Sequence, residues 1–181
     1  MALTPEIKAQ LNQYLVNLKS NVVIESFVDE SESSTNMSEL LIELTEMSEK
    51  IVLNVHKDKN ERTPSFKINR PNESTGIQFA GIPLGHEFSS LVLALLQVGD
   101  HPLKISDNLI EQIKKIKGNF VFETFISLSC HNCPDVVQAL NILSLLNPRI
   151  SHCMIDGALF QDEIKRKQIM SVPTVFLNGE E

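Results

Sequence analysis

Two short runs of this chain alternate apolar and polar residues: Val22-Val23-Ile24-Glu25-Ser26-Phe27-Val28 and Phe120-Val121-Phe122-Glu123-Thr124-Phe125-Ile126. Period-2 alternation in aromatic and β-branched residues predicts strands. Elsewhere the spacing lengthens to helical. Ile7, Leu11, Tyr14, Leu15 and Leu18 form a stripe after the helix start Thr4-Pro5-Glu6, which predicts a helix over 5–18. A second introductory helix is predicted over 107–117, with Ser106 as N-cap, Gly118 as stop, and Ile105 and Ile110 placed for a hydrophobic staple. After Pro134, apolar residues at Val136, Val137, Leu140, Leu143 and Leu146 predict a third helix.

The two strand runs match position by position, and the match continues. Ile51 to Val55 answers Ile150 to Met154, and Pro64-Ser65-Phe66-Lys67-Ile68-Asn69 answers Pro173-Thr174-Val175-Phe176-Leu177-Asn178. Each copy reads helix, strand, helix, strand and then a proline-led strand. A period of about 100 residues is too long for a solenoid and points to two copies of one domain. The boundary is expected near Gly99-Asp100-His101-Pro102, giving units 1–100 and 101–181. A β-α-β start requires a parallel strand pair with a right-handed crossover, so the class is α/β. The recurrence of Thr63-Pro64 and Val172-Pro173 favours a cis bond at both, and Asn178-Gly179 signals a hairpin turn. After Pro64 the first copy runs on through a strand near Ile77 to Ala80 and a helix from His86 to Val98, whereas the second stops at Glu181. The second copy is therefore expected to lack a last strand and helix, leaving apolar sheet uncovered near Val175 and Leu177.

Composition removes several function classes. The net charge is −7 without a run of basic residues, which argues against nucleic acid. No apolar run approaches the ~20 residues of a membrane span. Three cysteines and no signal sequence suggest a reducing cytoplasm.

The chemistry is concentrated in Cys130-His131-Asn132-Cys133, at the junction of a predicted strand and a predicted helix. Residues three apart in a helix start lie about 5–6 Å apart at Cβ, close to what a disulfide needs. Helix-terminal amides and the positive dipole end favour a thiolate on Cys130. A structural zinc site would need two further ligands, and Cys153 with the unpaired histidines does not supply them. A three-residue loop is also too short for a disulfide to stabilise the fold much. A redox dithiol remains. Carried over at the strand offset, Cys130 and Cys133 fall on Glu32 and Thr35, so the first copy has no dithiol. Cys153 is expected to be a small buried apolar residue and Glu123 a structural one.

C-x-x-C-P followed about forty residues later by Val172-Pro173-Thr174 resembles the thioredoxin superfamily. The stretch Leu128 to Asn141, together with Phe79-Ala80-Gly81-Ile82-Pro83-Leu84-Gly85-His86-Glu87-Phe88, is similar to the N-terminal domain of the flavoprotein subunit of alkyl hydroperoxide reductase, over essentially the whole chain. That resemblance implies two fused thioredoxin-like folds, the second truncated and alone bearing a dithiol. It implies a disulfide oxidoreductase that passes electrons from a thioredoxin-reductase-like portion binding FAD and NADH, outside this sequence, to a partner peroxiredoxin. No cofactor or metal is expected within these residues. A general protein disulfide reductase or isomerase is the alternative, and a non-enzymatic interaction module a third reading. Cys130 is the expected attacking thiol and Cys133 the resolving one. Pro173 would flank the disulfide and leave the backbone of Val172 free to pair with an incoming chain. His131 either supports the thiolate or is merely exposed. Glu87 either complements a helix dipole or exchanges protons with Cys133, the role the resemblance favours.

Overall fold

The computed structural model describes residues 3–57 and 61–181. Its strands are β1 (Val22–Phe27), β2 (Ile51–His56), β3 (Ser65–Arg70), β4 (Glu73–Ala80), β5 (Phe120–Ile126), β6 (Ile150–Asp156) and β7 (Thr174–Leu177). The helices are α1 (Pro5–Leu15), α2 (Glu32–Met47), α3 (Phe88–Val98), α4 (Asp107–Lys114), α5 (Cys133–Leu146) and α6 (Gln161–Arg166), with a 3₁₀ turn at Gly85–Glu87. Thr4, Ser31 and Ser106 cap α1, α2 and α4 by accepting the amide three residues on. The helices predicted over 5–18 and 107–117 end earlier, at Leu15 and Lys114.

The repeat reappears as sheet register. β1 pairs in parallel with β2 and antiparallel with β3, starting from Val22 opposite Ile51 and Phe27 opposite Ser65. β5 does the same with β6 and β7, from Phe120 opposite Ile150 and Phe125 opposite Thr174. Both Thr63-Pro64 and Val172-Pro173 are cis. Asn178 and Gly179 have positive φ in a turn closed between Leu177 and Glu180, the signature of a type I′ hairpin turn. On β7, Leu177 is 37 % exposed whereas Val175 is half-buried, so the expected uncovered apolar surface is small.

Sequence periodicity did not reveal how the copies join. β4 pairs in parallel with β6, Ile77 opposite His152 through Ala80 opposite Ile155, giving one seven-stranded sheet in the order β2-β1-β3-β4-β6-β5-β7. One continuous core draws on both halves, from Leu11, Ile24, Phe66 and Leu95 to Ile126, Cys133, Val137 and Met154. Each large apolar side chain taken fully out of water contributes roughly 1.5–3 kcal/mol. A smaller cluster, with Phe125, Cys153, Ile155 and Phe176, lies under Phe160, Ile164 and Ile169 around α6.

Arg62 ties α6 to the first half. Its guanidinium donates Nε–H to Glu163 Oε1 at 2.7 Å and Nη2–H to Oε2 at 2.8 Å, and also pairs with Glu123. This two-pronged geometry suits a half-buried pair. Lys167 completes the cluster, 3.5 Å from Glu123 and 4.1 Å above the Phe176 ring. Glu123 is thus structural, through ion pairs its sequence neighbours did not show.

The face that α5 buries differs from expectation. Cys133, Val137, Asn141 and Ser144 are buried, whereas Leu140, Leu143 and Leu146 are half-buried at the flanks. Of the polar members of that face, Asn141 meets the sheet through its Oδ1, whereas the Ser144 hydroxyl donates to the Leu140 carbonyl of its own helix at 3.1 Å. His152 Nδ1 meets Asn141 Oδ1 at 2.7 Å and Nε2 meets Thr124 Oγ1 at 2.8 Å, an arrangement for a neutral imidazole. Complete burial pushes the His152 pKa down to about 3. Between about pH 6.5 and 3 the unfolded chain binds a proton here that the folded chain does not, so stability is lost as pH is lowered, by up to about 1.4 kcal/mol per unit. In urea denaturation, His152→Gln is expected to flatten the loss of stability between about pH 7 and 5; an unchanged slope would locate the acid sensitivity in another group.

Candidate functional site

The site is assembled at the carboxyl ends of β5 and β6, where open α/β sheets leave room for a ligand. Cys130 and Cys133 form a disulfide, with Cα atoms 5.5 Å apart. The two were expected together at a helix start; instead Cys133 opens α5 and Cys130 stands in the turn before it. This arrangement gives the sulfurs unequal surroundings. Cys133 is fully buried beneath α5, and Cys130 is partly exposed. The Cys133 amide donates to Cys130 Sγ at 3.2 Å, so an unpaired N–H of the first helical turn is aimed at that sulfur. A thiolate there would be favoured by this contact and by the dipole of α5.

Val172 and Pro173 stand opposite. The Val172 carbonyl lies 3.9 Å from Cys130 Sγ, across the cis bond to half-buried Pro173. Beside this loop runs an open cleft of about 340 Å³ lined by Ile126, Ile164, Ile169, Met170 and Val172, with Met170 94 % exposed. A more polar cleft of about 430 Å³, between Arg70, His101 and Lys114, opens at the other end of the sheet, away from the dithiol.

The first half reaches into the site through Gly85-His86-Glu87. Glu87 was expected at a helix start; it belongs to the 3₁₀ turn, at the N-cap position of α3, without a capping hydrogen bond. Its side chain is completely buried, and neither carboxyl oxygen has a hydrogen-bond partner among the described residues. Burial raises its pKa, and the nearby Ser90 hydroxyl offsets this only in part. A surface carboxylate complementing a dipole would be solvated, which Glu87 is not. The turn packs against α5, and the His86 amide donates to the Leu128 carbonyl at 3.0 Å. The exposed His131 ring sits 4.0 Å from the ring of His86, a contact between halves that sequence spacing gives no means of seeing. Asp156, at the end of β6, is another buried carboxyl outside the motifs; burial raises its pKa while it accepts the Ala158 amide at 2.9 Å.

In the first half the corresponding corner is chemically silent. α2 begins at Glu32, so the turn between strand and helix is shorter than in the second half, and Glu32 rather than Thr35 holds the place of Cys133. Asp29 accepts hydrogen bonds from Ser31 and Ser34 and, at 3.1 Å, from Thr63 beside the cis proline. These bonds, led by that of the Ser31 hydroxyl, hold its carboxyl well below the usual carboxylate range. Among the described residues no group of three or more His, Cys, Asp or Glu could hold a metal ion, and no helix is long and apolar enough to cross a membrane.

No family model matches the chain. A protein from Ferdinandcohnia aciditolerans named NADH dehydrogenase is 58 % identical over 180 residues, covering 99 % of this chain and 34 % of the relative. The F subunit of alkyl hydroperoxide reductase from Xanthomonas campestris pv. phaseoli is 54 % identical over 178 residues, 98 % of this chain and again 34 % of the relative. The chain thus spans about a third of the curated relatives it matches. The crystal structure of the NTD_N/C domain of alkylhydroperoxide reductase AhpF from Enterococcus faecalis superposes with a TM-score of 0.91 at 33 % identity, over 99 % of this chain and 92 % of that one. This chain belongs to the AhpF family, as its N-terminal domain. A protein disulfide oxidoreductase from Aeropyrum pernix, 23 % identical with a TM-score of 0.86, has the same fold over 99 % of this chain and 86 % of that one. The AhpF domain is thus two fused thioredoxin-like folds sharing one sheet, and its dithiol is that of a disulfide oxidoreductase.

Cys153, the free cysteine of this AhpF domain, lies within 3.9 Å of Arg62, yet burial pushes its thiol up to about 12. In the oxidised protein a thiol reagent at about pH 8 should find nothing to react with until denaturant exposes Cys153. Rapid labelling of the native oxidised protein would show that this core opens.

Proposed function

We propose that this chain is the N-terminal electron-transfer part of a cytoplasmic, NADH-dependent peroxiredoxin reductase, with a redox-silent unit over 1–100 and a dithiol unit over 101–181. Electrons would come from a portion of the longer protein that binds FAD and NADH, and would go to the disulfide of a peroxiredoxin that reduces alkyl hydroperoxides.

The exchange balances within the chain and its partner. In the reduced domain the Cys130 thiolate attacks the partner's disulfide, forming a mixed disulfide and releasing one partner thiolate. Cys133 then attacks Cys130, re-forming the intramolecular disulfide and releasing the second partner sulfur. Two electrons pass to the partner. The Cys133 proton goes to Glu87, and Glu87 returns it to a departing sulfur. What supports this reading is a partly exposed Cys130 beside a buried Cys133, together with the buried Glu87 carboxyl, without a hydrogen-bond partner among the described residues, on a turn that packs against α5. A base whose pKa is raised toward the working pH is the more effective proton carrier. Val172 and Pro173, beside the apolar cleft, suit an extended partner segment added along the backbone. His131 sits at the rim, in reach of the same partner.

A peroxiredoxin should be reduced far faster than insulin at matched concentrations; comparable rates would favour a general disulfide reductase or isomerase. Cys130→Ser should abolish transfer, while Cys133→Ser should accumulate a mixed disulfide through Cys130. A mixed disulfide trapped on Cys133 in the Cys130→Ser protein would reverse the two roles. Glu87→Gln should slow transfer and alter its pH profile with little change in melting temperature, whereas unaltered kinetics would remove Glu87 from the chemistry.

A further inference from the structure

The silent half touches the dithiol loop at a point where backbone meets backbone. Gly85 has φ +56°, and a Cβ placed on it would come within 2.6 Å of the Leu128 carbonyl oxygen. Only glycine combines that conformation with so close an approach. The approach lets the next amide, of His86, donate to the same carbonyl at 3.0 Å. Leu128 lies two residues before Cys130, so this hydrogen bond fixes the start of the redox loop. From the same turn, the His86 ring meets the ring of His131 between the cysteines. Gln138 of α5 adds a third tie, donating to Ser89 at 3.1 Å.

We propose that Gly85 and His86, both in the redox-silent half, are positioning residues of the dithiol. Gly85 seats the loop on the Leu128 carbonyl, and His86 braces the otherwise exposed His131 ring beside Cys130. In this position a protonated His131 favours the Cys130 thiolate. The other titratable groups in this neighbourhood are few: α3 carries none, α5 contributes Cys133 and Asp135, and the 3₁₀ turn itself contributes Glu87. Activation of the attacking thiol in the proposed electron transfer thereby depends in part on the seam between halves.

The test needs neither peroxiredoxin nor the flavin portion, so it can fail independently of the proposed function. The pH dependence of Cys130 alkylation by iodoacetamide is measured on the reduced chain, with melting temperature and circular dichroism as controls for folding. Gly85→Ala should raise the midpoint by about half a pH unit, roughly a threefold loss of thiolate below it. His86→Ala should raise it in the same direction, and His86→Phe, which keeps a ring against His131, should restore it. An unchanged midpoint in folded Gly85→Ala, or a His86→Phe profile no closer to the native one than that of His86→Ala, would overturn the proposal. If Gly85→Ala does not fold, the two His86 variants decide.

Discussion

Ile77 to Ala80 of β4 pair in parallel with His152 to Ile155 of β6, and this short ladder makes two repeats into one body. Backbone donors and acceptors that would line two sheet edges are satisfied against each other, which removes the exposed edges that two separate units would carry. The residues on these strands are also the core. Ile77, Phe79, Met154 and Ile155 are fully buried, so separating the halves would expose apolar surface as well as break hydrogen bonds. Once β4 and β6 are fixed, the 3₁₀ turn that follows β4 has to lie beside the loop that follows β5.

That juxtaposition sets a turn of the half without a dithiol against the helix that carries Cys133. The corner of the first half is closed by Asp29, Ser31, Ser34 and Thr63, whose hydrogen bonds hold strand, helix and cis-proline turn together as the Cys130–Cys133 and Val172 contacts do in the second. The geometry of the repeat is kept and its chemistry removed. Further along, the Gly85-His86-Glu87 turn sets a buried carboxyl and an imidazole against α5, whose own first turn carries the exposed Asp135. The seam is further secured by Arg62, whose ion pairs with Glu123 and Glu163 reach across to β5 and α6.

Burial sets the protonation state of the interior groups, in directions that follow from charge type. It raises the pKa of Glu87, Asp156 and Cys153 and lowers that of His152, in each case disfavouring the charged form. His152, neutral through burial, is held in place by Asn141 and Thr124, and that network anchors the helix that carries Cys133. The same effect favours the neutral thiol at Cys153, despite a guanidinium close by.

Local pattern was enough to read the strands and the dithiol, because each depends on neighbours within one strand or one helical turn, and the repeat was legible by setting those local patterns side by side. Alternation marked β1 and β5, the spacing of two cysteines marked the disulfide, and Asn178-Gly179 marked the turn after β7. Helix ends were less legible, and the buried face of α5 was misread, since Asn141 looks polar until His152 is set against it and the Ser144 hydroxyl is satisfied by the Leu140 carbonyl of its own helix. The contacts of His86 with His131, Arg62 with Glu163, and Gly85 with Leu128 join residues 43 to 101 positions apart, and no periodicity reports on them. Sequence determined which groups can do dithiol chemistry; the parallel pairing of β4 with β6 decided which groups from the other half stand beside them, because only packing brings distant residues within reach.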